Sequence, residues 1–208
     1  MYLLYSIIYC IALCILLPFE YIKRPKEMRK KWFRERFGKY SAEAQKSRSA
    51  EEKTSELKTV WIHAVSVGEV IASVSLIKKI KELYPLTEII VSTVTDTGQK
   101  IAGERLSELA KIIYMPFDLP FSIKNALRSI KPSVFIIMET ELWPNIIRIL
   151  SGMGVPVLLM NGRISERSFN GYKKLRFFIK DVLNNMRLIC VQNELYADRI
   201  KALGAEPE

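Results

Sequence analysis

From residue 59 onward the chain repeats one pattern: a short, nearly unbroken apolar run followed by a longer amphipathic stretch. The runs are "TVWIHAVS", "TEIIVSTVT", "KIIYMPF", "SVFIIME", "VPVLLMNG" and "RLICVQN". Strands with one wet face alternate apolar and polar residues; strands apolar at almost every position are covered on both faces. Between the runs, apolar residues recur at helical spacing. In "EVIASVSLIKKIKEL" they fall at Val70, Val74, Ile77 and Ile80, with lysines late in the helix, where its negative end favours them. Further helices are expected from Thr97 to Leu109 and near residues 121–130. The pattern predicts an α/β fold: a Rossmann-like, doubly wound parallel sheet over residues 59–208. No repeat of solenoid type is present.

The amino terminus is built differently. Residues 2–19, "YLLYSIIYCIALCILLPF", approach the ~20 apolar residues that cross a bilayer. Residues 1–22 are therefore read as a transmembrane or membrane-anchor helix. A cleaved signal peptide fits poorly, because there is no basic leading region and no A-x-A site. No Lys or Arg precedes the apolar run, whereas residues 23–40 hold nine against two Glu, most of the chain's net charge of +10. That asymmetry places the amino terminus outside and the basic side in the cytoplasm. Whether the segment crosses fully or lies shallow stays open. Trp32, Phe33 and Phe37 lie among the cations, a mixture suited to a helix in an anionic headgroup layer. A solvated linker helix is the alternative, and a nucleic-acid arm is disfavoured by the adjoining anchor. Residues 41–58 are polar and read as a tether, so 23–58 is a basic juxtamembrane segment and linker.

Several chemistries are argued against. Three cysteines (Cys10, Cys14, Cys190) show no disulfide framework, and with one histidine, His63, no metal-ligand spacing arises. Neither a GxGxxG loop nor a Walker lysine motif follows the first strand, which argues against a dinucleotide enzyme or an NTPase.

In doubly wound sheets, ligands bind beyond the carboxyl ends of the strands. The junctions there read "SVGE", "TVTDTG", "MPFDLP", "METELWPN" and "NGRISERS". Asp96 or Thr97 reads as a helix cap, and Asp118, before Pro120, as a turn former. Glu69, at a helix start, is either a functional carboxylate or an acid that complements the helix dipole. His63 is read as a satisfied interior histidine, and Trp61 and Trp143 as packing residues.

The blocks "WIHAVSVGEV", "STVTDTGQ", "YMPFDLP", "IMETELWPN", "NGRISERS" and "VQNELYADRIKALGA", in that order, resemble those of bacterial 3-deoxy-D-manno-octulosonic acid (Kdo) transferases. The resemblance covers nearly the whole chain. It implies a two-domain GT-B glycosyltransferase, of which this would be the amino-terminal, acceptor-binding half. It implies transfer of Kdo from CMP-Kdo to the lipid A precursor (lipid IVA) in lipopolysaccharide assembly, at the cytoplasmic face of the inner membrane. Inversion at the anomeric carbon, no metal and no other cofactor are implied too, with most of the CMP moiety held by a carboxyl-terminal half.

On that resemblance Glu69 is the general base and Glu139 the transition-state stabiliser. Gly68 would leave room for the acceptor, and Ser66 would bind the sugar or hold the glutamate. Glu139 and Glu141 would point to one side of an extended "ETELW" tip, with Glu141 orienting acceptor hydroxyls. Asn161, Arg163, Arg167 and Ser168 would bind the acceptor, the arginines its phosphates. The positive helix end is expected to lower the pKa of Glu69, with desolvation by the lipid as an offset. Two other readings remain: a GT-B enzyme using a different nucleotide sugar, and a membrane-tethered, non-catalytic half-domain that binds lipid or a partner.

Overall fold

The computed structural model describes residues 1–40 and 58–206. Of the tether read at 41–58, residues 41–57 lie outside the described residues.

The six apolar runs form six parallel strands: β1 (Thr59–His63), β2 (Glu88–Thr93), β3 (Lys111–Tyr114), β4 (Val134–Met138), β5 (Val157–Gly162) and β6 (Leu188–Val191). Their order is β3-β2-β1-β4-β5-β6. Sequence order reverses between β1 and β4, so the crevice for ligands opens where these two strands end. The described helices are α1 (Tyr2–Lys23), α2 (Lys26–Arg36), α3 (Val67–Leu83), α4 (Asp96–Leu106), α5 (Pro120–Ile130), α6 (Pro144–Gly152), α7 (Glu166–Lys173), α8 (Arg176–Asn184) and α9 (Glu194–Ala202).

Burial explains the unbroken apolar runs. Trp61, Phe135, Ile137 and Leu159 pack under α5, α6 and α8 on one face. Ile62, Val91, Ile136 and Met138 pack under α3 and α4 on the other. Each element is shorter than its run. β1 stops at His63, and α3 begins at Val67, which puts Gly68 and Glu69 in its first turn. β3 stops at Tyr114 because Met115 O and Phe117 N turn to α2: Arg36 Nη1 donates to Met115 O (2.7 Å), and Phe117 N donates to Arg36 O (2.7 Å).

The aromatic residues of the basic segment do not lie where a headgroup layer would need them. Trp32 is 2% exposed and packs with Tyr114, Phe117 and Leu119. The Phe37 ring stands 5.3 Å from that of Phe117, edge to face. Only Phe33 stays largely exposed among the three. Met28 and Trp32 lie one helical turn apart, so α2 has an inward apolar edge that its lysines obscure in the sequence. Burying a tryptophan against protein outweighs leaving it at an interface. Glu35 and Arg36 are buried with it, and Glu35 accepts from Tyr114 N at 2.8 Å.

α1 is long and apolar enough to cross a membrane, by length and composition.

Candidate acceptor site at the ends of the first and fourth strands

The junction after β1 is self-contained. Ser66 is extended (φ −122°, ψ 171°) and precedes the first turn of α3. Three residues on, Glu69 folds back over it, in the manner of a capping box. Its Oε2 accepts from Val65 N at 2.7 Å and its Oε1 from Ser66 Oγ at 2.9 Å. Ser66 thus holds the glutamate. With these donors and the Ser66 N–H on it, the carboxylate still has lone-pair capacity left for an incoming proton. Glu69 is only 5% exposed. Its pKa is raised, first by burial and further by Glu139, against the lowering pull of the Val65 and Ser66 hydrogen bonds. The expected depression by the helix end is therefore overturned: the protein's own packing desolvates the group. A raised carboxylate is the stronger base once ionised.

The next junction props this one. Thr95 Oγ1 donates to Val65 O at 3.2 Å and accepts from Gly98 N at 3.0 Å, which makes Thr95 the cap of α4. A Cβ on Gly98 would come within 2.8 Å of Thr95 Oγ1 and 3.2 Å of Val65 O, so only glycine lets α4 start this close. Asp96 and Thr97 are not the cap. Asp96 pairs with Arg24 and accepts from Tyr114 Oη. At Gly68 a Cβ would meet no protein atom within 4 Å, so packing does not require glycine there.

The tip of β4 follows another logic. Glu139 N still donates to Met160 O in the ladder (2.9 Å), but Glu139 itself is left-handed, with φ +56°. The extended "ETELW" tip is thus corrected: the strand does not persist, and pleat alternation is not what orients Glu139 and Glu141. Neighbouring Asn161 is left-handed as well, with φ +58°. Asparagine tolerates that conformation, but for a glutamate it costs about 1–2 kcal/mol, and such strain gathers at functional sites. Beyond the turn, Trp143 holds the N-cap position of α6 without a side-chain cap bond, and Pro144 fills the first helical position, which suits its fixed φ.

Long-range contacts fix this tip. Asp118, fully buried, accepts from Asn145 N (3.0 Å) and Ile146 N (2.9 Å) at the start of α6. It also accepts from the Tyr5 hydroxyl of α1, and Asn145 Nδ2 donates to Ser6 Oγ at 2.9 Å. Asp118 is thus the remote cap of α6, a role the turn reading missed. Burial pushes it up to about 6, opposed by these hydrogen bonds. Thr140 Oγ1 accepts from Arg163 N at 2.9 Å, tying the β4 tip to that of β5.

Glu69, Glu139 and Glu141 share one space. Burial pushes Glu141 up to about 7, with the charges of Glu69 and then Glu139 adding. Burial raises Tyr172 on α7, with Glu141 adding, so this phenol faces the same crevice. Nothing in "SFNGYK" marks Tyr172 in the sequence. The "NGRISERS" residues form the rim. Asn161 is half-buried and its Oδ1 accepts from Gln192 Nε2 at 3.2 Å. Ser168 is engaged in the α7 cap: its N donates to Ser165 Oγ at 3.1 Å, and its Oγ accepts from Ser165 Oγ at 2.9 Å. Arg163 and Arg167 are exposed to solvent on the rim. His63 is fully buried, with Nδ1 3.0 Å from Ser92 Oγ and the ring edge-to-face with Trp143. Burial lowers it to about 3, which keeps it neutral. Trp61 Nε1 donates to Ser92 Oγ at 2.8 Å inside the core.

Residues 31–208 match the 3-Deoxy-D-manno-octulosonic-acid transferase (kdotransferase) family. The chain belongs to this family. Among individual relatives, the 3-deoxy-D-manno-octulosonic acid transferase of Haemophilus influenzae is 36% identical over 149 residues, 72% of this chain and 35% of that protein. A bifunctional glycosyltransferase/methyltransferase of Fusobacterium nucleatum is 40% identical over 153 residues, 72% of this chain and 23% of its own length. A protein of Arabidopsis thaliana named "Probable 3-deoxy-D-manno-octulosonic acid transferase, mitochondrial" is 33% identical over 150 residues, 71% of this chain and 34% of that protein. This Kdo transferase family chain thus spans about a quarter to a third of the curated relatives it matches.

Proposed function

We propose that this domain is the acceptor-binding half of a GT-B enzyme that transfers Kdo from CMP-Kdo to the lipid A precursor (lipid IVA), at the cytoplasmic face of the inner membrane. The observation that carries the reading is the meeting of Glu69, Glu139 and Glu141 at the switch point of the sheet, in a chain of this family.

The chemistry follows from the groups present. Glu69 takes the proton of the acceptor hydroxyl as its oxygen bonds to the anomeric carbon of Kdo. The bond from that carbon to the CMP phosphate breaks, and CMP leaves with the electron pair. Attack from the opposite side inverts the centre. Glu139 stands to stabilise the positive charge that builds on the sugar, and Glu141 to orient the acceptor. A carboxylate base needs no metal, and we propose that transfer proceeds without one, with donor binding left to a carboxyl-terminal half. On this reading Arg163 and Arg167, both exposed, bind the acceptor's phosphates, and Asn161 and Ser168 contribute to the same acceptor site.

Transfer of radiolabelled Kdo to lipid IVA by a full-length form, in the presence of EDTA, tests this. Activity that survives EDTA but is lost in Glu69→Ala, with folding intact by circular dichroism, is the expected result. Undiminished transfer in that variant rules out the base, and loss with EDTA rules out metal independence.

A further inference from the structure

α1 does not project from the domain. Its half-buried residues are Tyr2, Tyr5, Ser6, Tyr9, Leu13 and Leu17, one stripe at three- and four-residue intervals. That stripe is fastened along its whole length. The Tyr2 ring lies 5.1 Å from that of Phe178 on α8, with the Arg148 guanidinium 4.5 Å over it. Ser6 accepts from Asn145, and Leu13 and Leu17 pack against the cluster of Trp32 and Phe117. Just past its end, Arg24 pairs with Asp96 at the start of α4. The helix therefore runs across the carboxyl-end side of the sheet, beside the crevice, touching the domain at both extremities.

Its opposite stripe is bare. Leu4, Ile7, Ile8, Ile11, Ile15 and Phe19 are 48–70% exposed and again follow helical spacing. A helix of 22 residues is about 33 Å long, close to the ~30 Å hydrocarbon core. Were it to stand across a bilayer, the wall fastened to it would be carried in as well, with Arg148, Asp118 and Asn145. Ionic groups are strongly disfavoured there. Charge selects the occupant of the bare stripe. α2 exposes Lys26, Lys30 and Arg34 at four-residue intervals, and Phe33 on that side meets the Tyr21 ring at 5.9 Å. An apolar stripe bordered by a basic one matches an anionic leaflet.

We propose that α1 lies flat within one leaflet of an anionic bilayer, its bare stripe towards the acyl chains, both of its ends on the same side as the domain. This rests on the membrane location given above and departs from a crossing helix with its amino terminus outside. It sets the mouth of the crevice at headgroup height, where a lipid-borne acceptor need not leave the bilayer.

The full-length protein carries an epitope at the amino terminus and, separately, Lys26→Cys in a background freed of its other thiols, Cys10, Cys14 and Cys190 among them. Protease and impermeant maleimide are applied to spheroplasts and to inverted inner-membrane vesicles. Both positions reached only in inverted vesicles supports the flat helix. Cleavage of the epitope only from the outer face, with residue 26 labelled only from the inner, overturns it while leaving the membrane location standing. Recovery of the protein in the soluble fraction, as a monomer or as a dimer through the bare stripe, overturns both. Ile8→Glu and Ile15→Glu, at exposed positions, are expected to shift partition from membrane to soluble fraction by about tenfold or more each, from the loss of apolar burial. Unchanged partition, with circular dichroism unaltered, overturns the assignment of that stripe.

Discussion

Two carboxylate-bearing tips meet in the crevice, and they are built in opposite ways. The tip after β1 is closed within five residues: Glu69 bonds to Val65 N and Ser66 Oγ, and the helix start does the rest. The tip after β4 depends on groups far away in the chain: Asp118, Tyr5, Ser6 and Arg163 hold it, and a left-handed Glu139 turns it. A locally built tip keeps its shape if its surroundings loosen. A remotely held tip reports on everything that touches it, the amino-terminal helix included.

The largest effect expected at the local tip is on rate alone. Glu69→Gln keeps an oxygen for Val65 N but loses the proposed base, so on that proposal Kdo transfer by a full-length form should fall by about 10²–10⁴-fold, while the melting temperature changes little. A large loss of stability with it would erase the contrast between the tips.

At the remote tip the order reverses. Asp118→Ala leaves two buried N–H groups without an acceptor, at about 1–3 kcal/mol each, so chemical denaturation should show a loss on the order of 3 kcal/mol, with transfer falling as a consequence. Asp118 also gives a pH signature. Its native pKa of about 6 lies above the ordinary 3.8, so the folded protein keeps this proton where the unfolded chain has released it. The stability it contributes is full below about pH 4 and is lost as pH rises through about 6. Asp118→Asn should flatten that decline, and an unaltered slope would show that the proton is not held.

Smaller changes probe the shared space. Glu141→Gln removes a negative neighbour of Glu69, so Glu69 ionises more readily and the acidic limb of kcat/KM should move to lower pH, by less than about one unit at this degree of screening. Movement to higher pH would put the carboxylates in separate spaces. Ser66→Ala removes a hydrogen bond to the ionised Glu69 and should shift the same limb slightly upward, with stability down by about 0.5–1.5 kcal/mol. A downward shift would mean that Ser66 does not hold the ionised glutamate.

The same contrast decides what the sequence makes legible. The sheet is legible because burial on both faces writes itself into continuous apolar runs. Glu69 and Ser66 are legible because a helix start is a four-residue grammar. Asp118 reads as a turn former because its partners lie 27 and 28 positions later, and no local pattern carries that. The turn at Glu139 is hidden for a related reason: left-handed backbone announces itself through glycine or asparagine, and a glutamate gives no such sign. Trp32 goes astray because a stripe of lysines dominates α2 and masks the turn-spaced Met28 and Trp32 beneath.

That same helix has a consequence for handling the protein. β3 is the outermost strand on its side, and a strand with one flank unpaired is a template for another chain. Here the flank is occupied by side chains: Glu35 takes the amide of Tyr114, Arg36 the carbonyl of Met115, and Lys31 reaches the carbonyl of Ile112 at 3.5 Å. Trimming the amino terminus through both helices to gain solubility would strip this guard along with the apolar helix, and would trade an exposed apolar stripe for an open strand flank, prone to stick to its own kind, strand to strand.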